Sequence, residues 1–209
     1  MALTGLFLAF FLIIHLAGNL QLLLPEEVAH DQYNLYSHIL SQNLIIKAVS
    51  YILYLSILYH VIDALVLTLN NRKASGDSYE KDSRGEVSSW ISRNMGLLGV
   101  LIFLFLVIHM KDYWYVYKFG SPPLDAEGGK DLYIIVINSF QELWYVITYV
   151  LAMGVLCFHL WHGVKSAFRT LGLYHVKYMR WIKYLGYAFS VVLSLGFALI
   201  PVIIYLKDL

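Results

Sequence analysis

Four histidines lie inside long apolar segments, where ionisable side chains are rare. His15, His60, His109 and His159 each fall in a different segment. An ionisable side chain at membrane depth is costly and usually functional. A lone buried histidine is equally well explained by a hydrogen bond between helices, but one histidine in each of four segments requires a common explanation. A neutral imidazole is a common metal ligand and also a proton carrier, so both kinds of chemistry are considered.

The apolar segments that carry these histidines are long enough to be membrane spans. A hydrocarbon core of about 30 Å takes roughly 20 helical residues to cross. In this chain 59% of the residues are hydrophobic and 14% are charged, against about a quarter charged in soluble domains. We therefore predict an all-α membrane protein, a single domain over residues 1–209, with five transmembrane helices and a retained first span in place of a cleaved signal peptide. The predicted spans are 3–24, 44–69, 95–117, 142–168 and 182–206.

The polar connections between the spans predict the orientation. Segment 25–43 is polar without any Lys or Arg, segment 118–131 is rich in Pro and Gly, and 132–141 is read as a surface helix. Lys and Arg are concentrated in segments 71–94 and 169–183. The positive-inside rule then places the N-terminus in the cytoplasm and the C-terminus outside. The basic residues are Arg72, Lys73, Lys81, Arg84 and Arg93 in one segment, and Arg169, Lys177, Arg180 and Lys183 in the other, with Lys165 close by.

The depths of the four histidines place them at two levels. His60 and His159 each come about 16–17 residues into an inward-running span, so at about 1.5 Å per residue they lie ~24 Å from the outer surface. His15 and His109 come about 12–14 residues into outward-running spans and lie ~18–21 Å from the inner surface. The spacing therefore predicts two rings at each of two levels, roughly 10–15 Å apart across the bilayer.

Two imidazoles at one level indicate a particular kind of metal site. They are too few for a closed tetrahedral zinc site, and the sequence offers no Cys, Asp or Glu at the same depth. Two opposed imidazoles do complete the octahedron of a haem iron, whose porphyrin supplies the other four ligands. An iron with both axial positions filled has no open site for oxygen. We therefore predict two b haems that transfer electrons, without a Cys-x-x-Cys-His motif for covalent attachment.

Several stretches resemble the cytochrome b membrane anchor of succinate dehydrogenase and fumarate reductase, in its single-chain, five-helix, di-haem bacterial form. Residues 1–19, with His15, look like the family's first helix, and Tyr59-His60 looks like part of its second. The most specific stretch is 158–172, which contains the family's His-x3-Gly and a further glycine thirteen residues after the histidine. The resemblance covers the whole chain. The matching residues of the last stretch are His159, Gly163 and Gly172.

The resemblance implies axial pairs, cofactors and partners. His60 with His159 would hold the haem nearer the cytoplasm, and His15 with His109 the haem nearer the outside. The partners would be a flavoprotein that oxidises succinate and an iron-sulfur protein, docked on the cytoplasmic face of a bacterial inner membrane. This chain has no Gly-rich dinucleotide fingerprint and no cysteine cluster. Its expected part is to anchor that pair in the bilayer and carry electrons to or from a membrane quinone, with menaquinone expected; no nucleic-acid partner is expected.

Some positions depart from the family or compete with its ligands. Cys157 stands where some relatives carry a glutamate linked to proton movement, so that route is not carried over. The family's usual polar segment before the first helix is also not seen here. His162, three residues after His159, is a rival for the fourth axial ligand, although the family spacing favours His159. The remaining titratable residues are read as solvated, namely the loop histidines His30, His38 and His175 and the interfacial carboxylate Asp63.

Contacts of the cofactors with other side chains are less specific. Trp90, Arg93 and Arg169 are placed to meet the inner haem's propionates, since guanidinium pairs well with carboxylate, but plain positive-inside anchoring explains them as well. A quinone needs hydrogen-bond donors beside its carbonyls, and the sequence does not select among those on the outer side. These are Asn19, Gln21, Gln32, Tyr36, His38, Gln42, Lys111 and Asp112.

Two other functions remain open. The first keeps the haems and changes the partner, as in the anchor of a hydrogenase or a formate dehydrogenase, and co-purification with a succinate-oxidising flavoprotein would discriminate. The second is a haem-free transporter whose buried histidines relay protons. It predicts no visible absorption, and it does not explain why the histidines pair by depth.

Overall fold

The computed structural model describes residues 1–74, 89–173 and 175–207, and its regular structure there is helical apart from one isolated bridge between Leu124 and Lys130. Lys81 and Arg84, predicted to mark a cytoplasmic connection, lie outside the described residues. Within these ranges seven helices have nine or more residues. They are α1 (Ala2–Asn19), α2 (Glu26–Gln42), α3 (Leu44–Ala74), α4 (Met95–His109), α5 (Leu132–Phe140), α6 (Leu143–Thr170) and α7 (Val176–Lys207).

Five of these helices are long and apolar enough to cross a membrane, as predicted. They are α1, α3, α4, α6 and α7. α1 continues through a short 3₁₀ helix to Leu23, and α4 continues through the π-helix Met110–Tyr115 to Phe119. α3 and α7 extend beyond their predicted bounds, to Ala74 and back to Val176 respectively. The extensions contain Lys and Arg, which are good helix formers, so the helices do not stop where the apolar blocks stop.

The spans alternate in direction, which gives the bundle two different ends. At what we call the basic end, α1, α4 and α7 begin and α3 and α6 finish. There the Met1 amine lies 2.7 Å from a carboxylate oxygen of Asp63, so this carboxylate is level with the start of α1, as an interfacial residue should be. At the other end, which we call the cap end, the Lys207 ammonium donates a hydrogen bond to the carbonyl of Leu23 at 3.4 Å.

α6 is the central helix of the bundle and packs against α1, α4 and α7. Its buried side chains recur at helical spacing along one face, as expected for a helix with neighbours on one side. They include Tyr145, Tyr149, Met153 and Leu160. α6 packs directly against α4, and near the basic end one of its side chains also reaches α3.

The other two helices, α2 and α5, cover the cap end. α5 matches the helix predicted over 132–141, but it does not lie free on a membrane surface, because one face is buried in the same apolar cluster as the first turns of α6. α2 replaces the predicted polar connection over 25–43. Most of its residues are polar, which conceals a narrow buried stripe. The buried residues are Tyr133, Val136 and Phe140 on α5, and Ala29, Tyr33 and Asn34 on α2.

Asp131 fastens α2 to α5. The buried carboxylate is the N-cap of α5, where it accepts the Ile134 N–H at 3.0 Å. It also accepts a hydrogen bond from the Asn34 amide at 2.9 Å and lies 2.8 Å from Nε2 of His30. The prediction that His30 is a solvated loop histidine is therefore wrong: it sits on α2 and binds a partner 101 residues away.

His30 and Asp131 each stabilise the charged form of the other. The hydrogen bond to Asp131 raises the pKa of His30 above its ordinary value, against the opposing effect of burial. Burial acts to raise the pKa of Asp131, but hydrogen bonds from Asn34, the Ile134 N–H and His30 outweigh it and hold that pKa below its ordinary value. Both shifts favour the ionic pair. The other two non-span histidines, His38 and His175, are exposed, although His38 is on α2 and not in a loop.

Candidate functional site

The four histidines of the spans form two pairs, each made from two different helices. In the basic-end pair, His60 on α3 faces His159 on α6, with ring centres 6.4 Å apart and ring planes at 65°. In the cap-end pair, His15 on α1 faces His109 on α4, with ring centres 5.7 Å apart and ring planes at 89°. These are the two levels that the sequence predicts from depth.

The spacing of the rings suits a metal held between two imidazoles. A metal–nitrogen bond of about 2 Å on each side, with about 1 Å from each nitrogen to its ring centre, gives about 6 Å between ring centres. The observed 6.4 and 5.7 Å lie close to that value. Among the residues that the structure describes, no three His, Cys, Asp or Glu side chains come together to hold a metal ion. A metal at either pair would therefore need further ligands from a cofactor, which a porphyrin provides.

The contacts around the basic-end pair leave ring nitrogens available to bind a ligand. The hydroxyl of Thr4 lies 3.2 Å from Nδ1 of His60, and a metal-ligating histidine usually donates its other N–H in this way. α1 approaches closely at Gly5, where a Cβ would lie 3.3 Å from Cε1 of His60. Nδ1 of His159 is buried and has no hydrogen-bond partner within the described part of the chain. An unsatisfied buried polar group costs about 1–3 kcal/mol. A ligand bound to Nδ1 of His159 would therefore remove an unfavourable free-energy term.

The cap-end pair is connected to the end of the bundle by hydrogen bonds. Nδ1 of His109 lies 3.1 Å from the Tyr149 hydroxyl, which lies 3.3 Å from the Tyr145 hydroxyl. Tyr145 in turn donates to a carboxylate oxygen of Asp112 at 3.0 Å, and Asp112 pairs with Lys111 at 3.1 Å. If the His109 Nδ1 carries its proton, every link can donate in the same direction, from the ring to the carboxylate. We call His109, Tyr149, Tyr145 and Asp112 the tyrosine chain.

The π-helix Met110–Tyr115 shapes this arrangement. It begins directly after His109 and contains Asp112 and Tyr113. A π-helix holds more residues per turn than an α-helix, and single turns of it occur frequently at functional sites. Asp112 is thereby placed on the α6 side of the span, where it meets Tyr145. The Tyr113 hydroxyl is also buried here, and it has no hydrogen-bond partner among the described residues.

An apolar cavity of about 320 Å³ lies between α3 and the end of the α4 span. No histidine is among the described residues that line it, but Ile57 is three residues before His60, and Leu106 and Met110 bracket His109 in the sequence. Apolar walls of this kind suit a hydrophobic ring system more than a hydrated ion. The remaining lining residues are Tyr54 and Trp114, joined by a hydrogen bond of 2.7 Å from the indole N–H to the Tyr54 hydroxyl.

The other predicted cofactor residues lie at the basic end. Trp90 and Arg93 are on a short helix, Trp90–Arg93, that packs against α6. Arg169 is in the last turn of α6. All three are exposed, and their contact with propionates remains a prediction. His162 is half-buried on α6, but the imidazole facing His60 is that of His159.

The residues considered for a quinone separate into two groups. Asn19, Tyr36 and Asp112 are at least partly buried near the cap-end pair: the Asn19 amide donates to the His15 carbonyl at 2.7 Å, and Tyr36 fills the space beside Gly18. Gln21 is also partly buried and belongs to this group, and its amide donates to the carbonyl of Gly18 at 3.1 Å. The other candidates are exposed, and these are Gln32, His38, Gln42 and Lys111.

Sequence reasoning missed the residues that hold the histidine rings. Thr4, Tyr145 and Tyr149 are not among the predicted site residues. A signal did exist for the tyrosines, because residues 145 and 149 are four apart and so share one face of an otherwise apolar helix. The spacing does not say which neighbouring helix that face meets, so their position beside His109 was missed.

The fold and the site define a class of protein: a multi-pass helical membrane bundle with two cross-helix histidine pairs at different depths. In comparisons with known proteins, no family model, no curated protein and no solved structure matches the chain. The geometry of the histidine pairs and the residues of the sequence therefore carry the functional conclusion.

Proposed function

We propose that this chain is a di-haem cytochrome b, the membrane-anchor subunit of a succinate:quinone oxidoreductase. The observation that carries the proposal is the arrangement of four partly buried imidazoles into two pairs, each between different helices, with ring centres 6.4 and 5.7 Å apart. Rings at this distance also occur in ordinary aromatic contacts, at about 4.5–7 Å between centres. The support comes from the pairing of all four span histidines, which two metals, each bound by two imidazoles, would explain.

The residues of the chain would hold and orient the cofactors. His60 and His159 would be the axial ligands at the basic end, and His15 and His109 those at the cap end. Thr4 and Tyr149 would fix the orientation of one ring in each pair and strengthen it as a ligand, as hydrogen-bonded neighbours of metal ligands do. When bound, two b haems would supply one-electron transfer between an iron-sulfur partner and a membrane quinone.

The succinate part of the proposal is supported by the resemblance of residues 158–172 to the anchor family. The positive-inside rule supports the orientation, since Lys and Arg are concentrated at the basic end. That end would face the cytoplasm of a bacterial inner membrane, where the flavoprotein and iron-sulfur partners would dock. Menaquinone or another quinone would be the membrane partner, near the cap-end pair.

The first experiment is optical. The detergent-purified chain, expressed with haem available, is examined by a dithionite-reduced minus oxidised spectrum, with haem quantified as the pyridine haemochrome. Two low-spin b haems per chain are expected. A folded chain without haem overturns the cytochrome assignment. Co-purification from the native membrane then tests the partner, and a succinate-oxidising flavoprotein is expected. A hydrogenase or formate dehydrogenase partner would leave the haem assignment in place and overturn the assignment to a succinate:quinone oxidoreductase.

A second candidate function is favoured by the tyrosine chain. A continuous series of hydrogen bonds from a partly buried histidine to a carboxylate at the bundle end is what a proton-relay transporter would contain. The series involves only the cap-end pair, because the hydrogen bond of His60 is with Thr4 and does not lead toward His109. The same optical experiment discriminates, since a haem-free transporter has no visible absorption.

A further inference from the structure

A cavity lined by cations lies at the basic end, between the last turns of α6 and the first turns of α7. It has a volume of about 410 Å³. Four of its six lining residues are basic, and none of the described lining residues is acidic. The lining residues are Lys165, Arg169, Met179, Arg180, Lys183 and Tyr184.

The convergence of these charges is not explained by membrane orientation alone. Basic residues that only satisfy the positive-inside rule extend separately into water. Here Lys165 and Arg169 are four residues apart on one face of α6, and Arg180 and Lys183 are three apart on the facing side of α7. Like charges at these spacings repel each other. An anion bound in the cavity would be attracted to Lys165, Arg180 and Lys183.

The start of α7 points to the same ligand charge. A helix N-terminus carries a partial positive charge, so acidic side chains or anions stabilise it and cations do not. The first turn of α7 contains no acidic residue, and the cations Lys177, Arg180 and Lys183 follow within its first two turns. The local charge is therefore positive from both the side chains and the helix.

Next to the cavity, α7 has an exposed apolar surface of the kind that faces lipid. Trp181 and Leu185 are exposed over 66% and 67% of their surface. Trp161 of α6 and Tyr187 of α7 stack with ring centres 4.0 Å apart, and the Lys183 ammonium lies 5.5 Å from the centre of the Tyr187 ring. These contacts join α6 and α7 about one helical turn further along the bundle than the residues that line the cavity. A ligand held there would have an anionic head at the cavity and apolar chains along the exposed side of α7.

We propose that this cavity binds the phosphate group of an anionic phospholipid. Basic pockets between membrane helices commonly take such headgroups, and Arg matches phosphate oxygens with two N–H groups at once. The site is separate from the histidine pairs, and it stands whether or not the chain holds haem.

The test uses the full-length chain, delipidated in detergent, with haem per chain measured in every sample. Its thermal unfolding is followed on addition of phosphatidylglycerol, of phosphatidylcholine or of inorganic phosphate, and retained lipid is counted by native mass spectrometry. The double variant K165Q/K183Q is compared with K47Q/K118Q, which removes two lysines near the cap end. Phosphatidylglycerol is expected to raise the unfolding temperature of the wild type and of K47Q/K118Q. K165Q/K183Q is expected to bind it roughly 25-fold more weakly, from about fivefold per lysine.

Three results would overturn the proposal. Equal effects of phosphatidylglycerol and phosphatidylcholine remove the preference for an anionic lipid. Equal protection by inorganic phosphate alone shows that the site takes a free anion and no lipid. Loss of haem from K165Q/K183Q with unchanged lipid binding assigns the cations to haem propionates. A haem-free wild type that still prefers phosphatidylglycerol would end the cytochrome proposal and support the lipid site, so the two are separable.

Discussion

The hydroxyl of Tyr149 lies 3.1 Å from Nδ1 of His109, on the neighbouring span. This contact fixes the ring of one histidine of the cap-end pair and connects it to Tyr145 and Asp112. It also makes the two histidine pairs distinguishable, because the basic-end pair has Thr4 in the corresponding position. Each pair can therefore be altered through its own hydroxyl.

Tyr149→Phe should weaken cofactor binding at the cap-end pair only. Loss of a hydrogen bond to a metal-ligating histidine typically reduces metal affinity by about 10–100-fold. Without this hydrogen bond, His109 should also be a poorer electron donor to the iron, which raises the midpoint potential of that haem. A redox titration followed optically, together with haem transfer to an acceptor protein, measures both effects. Thr4→Val is the matched control and should change the other haem; identical responses from both variants would contradict the assignment.

If the chain holds two b haems as proposed, substitution of single histidines should remove them in a paired pattern. His60→Ala and His159→Ala should each leave the cap-end haem, and His15→Ala and His109→Ala should each leave the basic-end haem. The pyridine haemochrome of folded, monodisperse material should fall from about two to about one per chain in each case, since each iron loses one of its two protein ligands.

His162→Ala is the control for the fourth ligand. Because the imidazole facing His60 is that of His159, this variant should keep both haems. Retention of two haems by His159→Ala, with loss of one from His162→Ala, would exchange the roles of these two residues.

The attachment of α2 should depend on pH through His30. Its pKa is raised by Asp131, so its stabilising charge is fully present below the unfolded value of about 6.5 and is lost as the pH rises through the higher folded value. The pKa of Asp131 is lowered, so its contribution is present above about 3.9 and is lost as the pH falls through the lower folded value. α2 should be held best between about pH 4 and 6.5.

Hydrogen exchange of the α2 amides, corrected for intrinsic rates, measures this dependence. The loss on the alkaline side should be roughly 1 kcal/mol or less, because the His30 side chain is 32% exposed and the pair is partly screened. His30→Gln should reduce the loss of α2 amide protection on the alkaline side. His38→Gln, an exposed histidine on the same helix, should leave it unchanged, and an equal effect of both variants would point to a general change in α2.

Asp131 should matter more for stability than any other side chain of the cap. Asp131→Ala removes an N-cap, worth about 1 kcal/mol, and leaves the polar groups of Asn34 and His30 without their partner, at about 1–3 kcal/mol. Asp131→Asn keeps a capping oxygen and should cost less. Thermal unfolding and protease sensitivity over residues 120–131 measure the difference. Equal stability of the two variants would show that capping contributes nothing.

The spans and the pairing of histidines could be predicted because they depend on properties that are additive along a helix. Apolar length determines what can cross a membrane, and residue number multiplied by rise gives depth. These rules place His60 with His159, and His15 with His109, before any contact is known.

The contacts around the rings could not be predicted in the same way. Which hydroxyl reaches which ring depends on rotation of one helix about its axis relative to the next, and a membrane span that is apolar on all sides gives no such orientation. Thr4 and Tyr149 were missed for this reason. α2 was missed because its buried stripe is narrow and polar residues outnumber apolar ones around it. Asp131, by contrast, carried a readable signal, since Asp directly before an apolar run is a common N-cap.

The fastening of α2 by Asp131 has a consequence for biosynthesis. Asn34 and Asp131 are 97 residues apart, and α3 and α4 lie between them. When α2 is translated, Asp131 has not yet been made. α2 therefore stays without this partner on the far side of the bilayer until α3 and α4 have been inserted and α5 has been translated. The contact between α2 and Asp131 can form only after the third span has crossed the bilayer and brought Asp131 to the same side as α2.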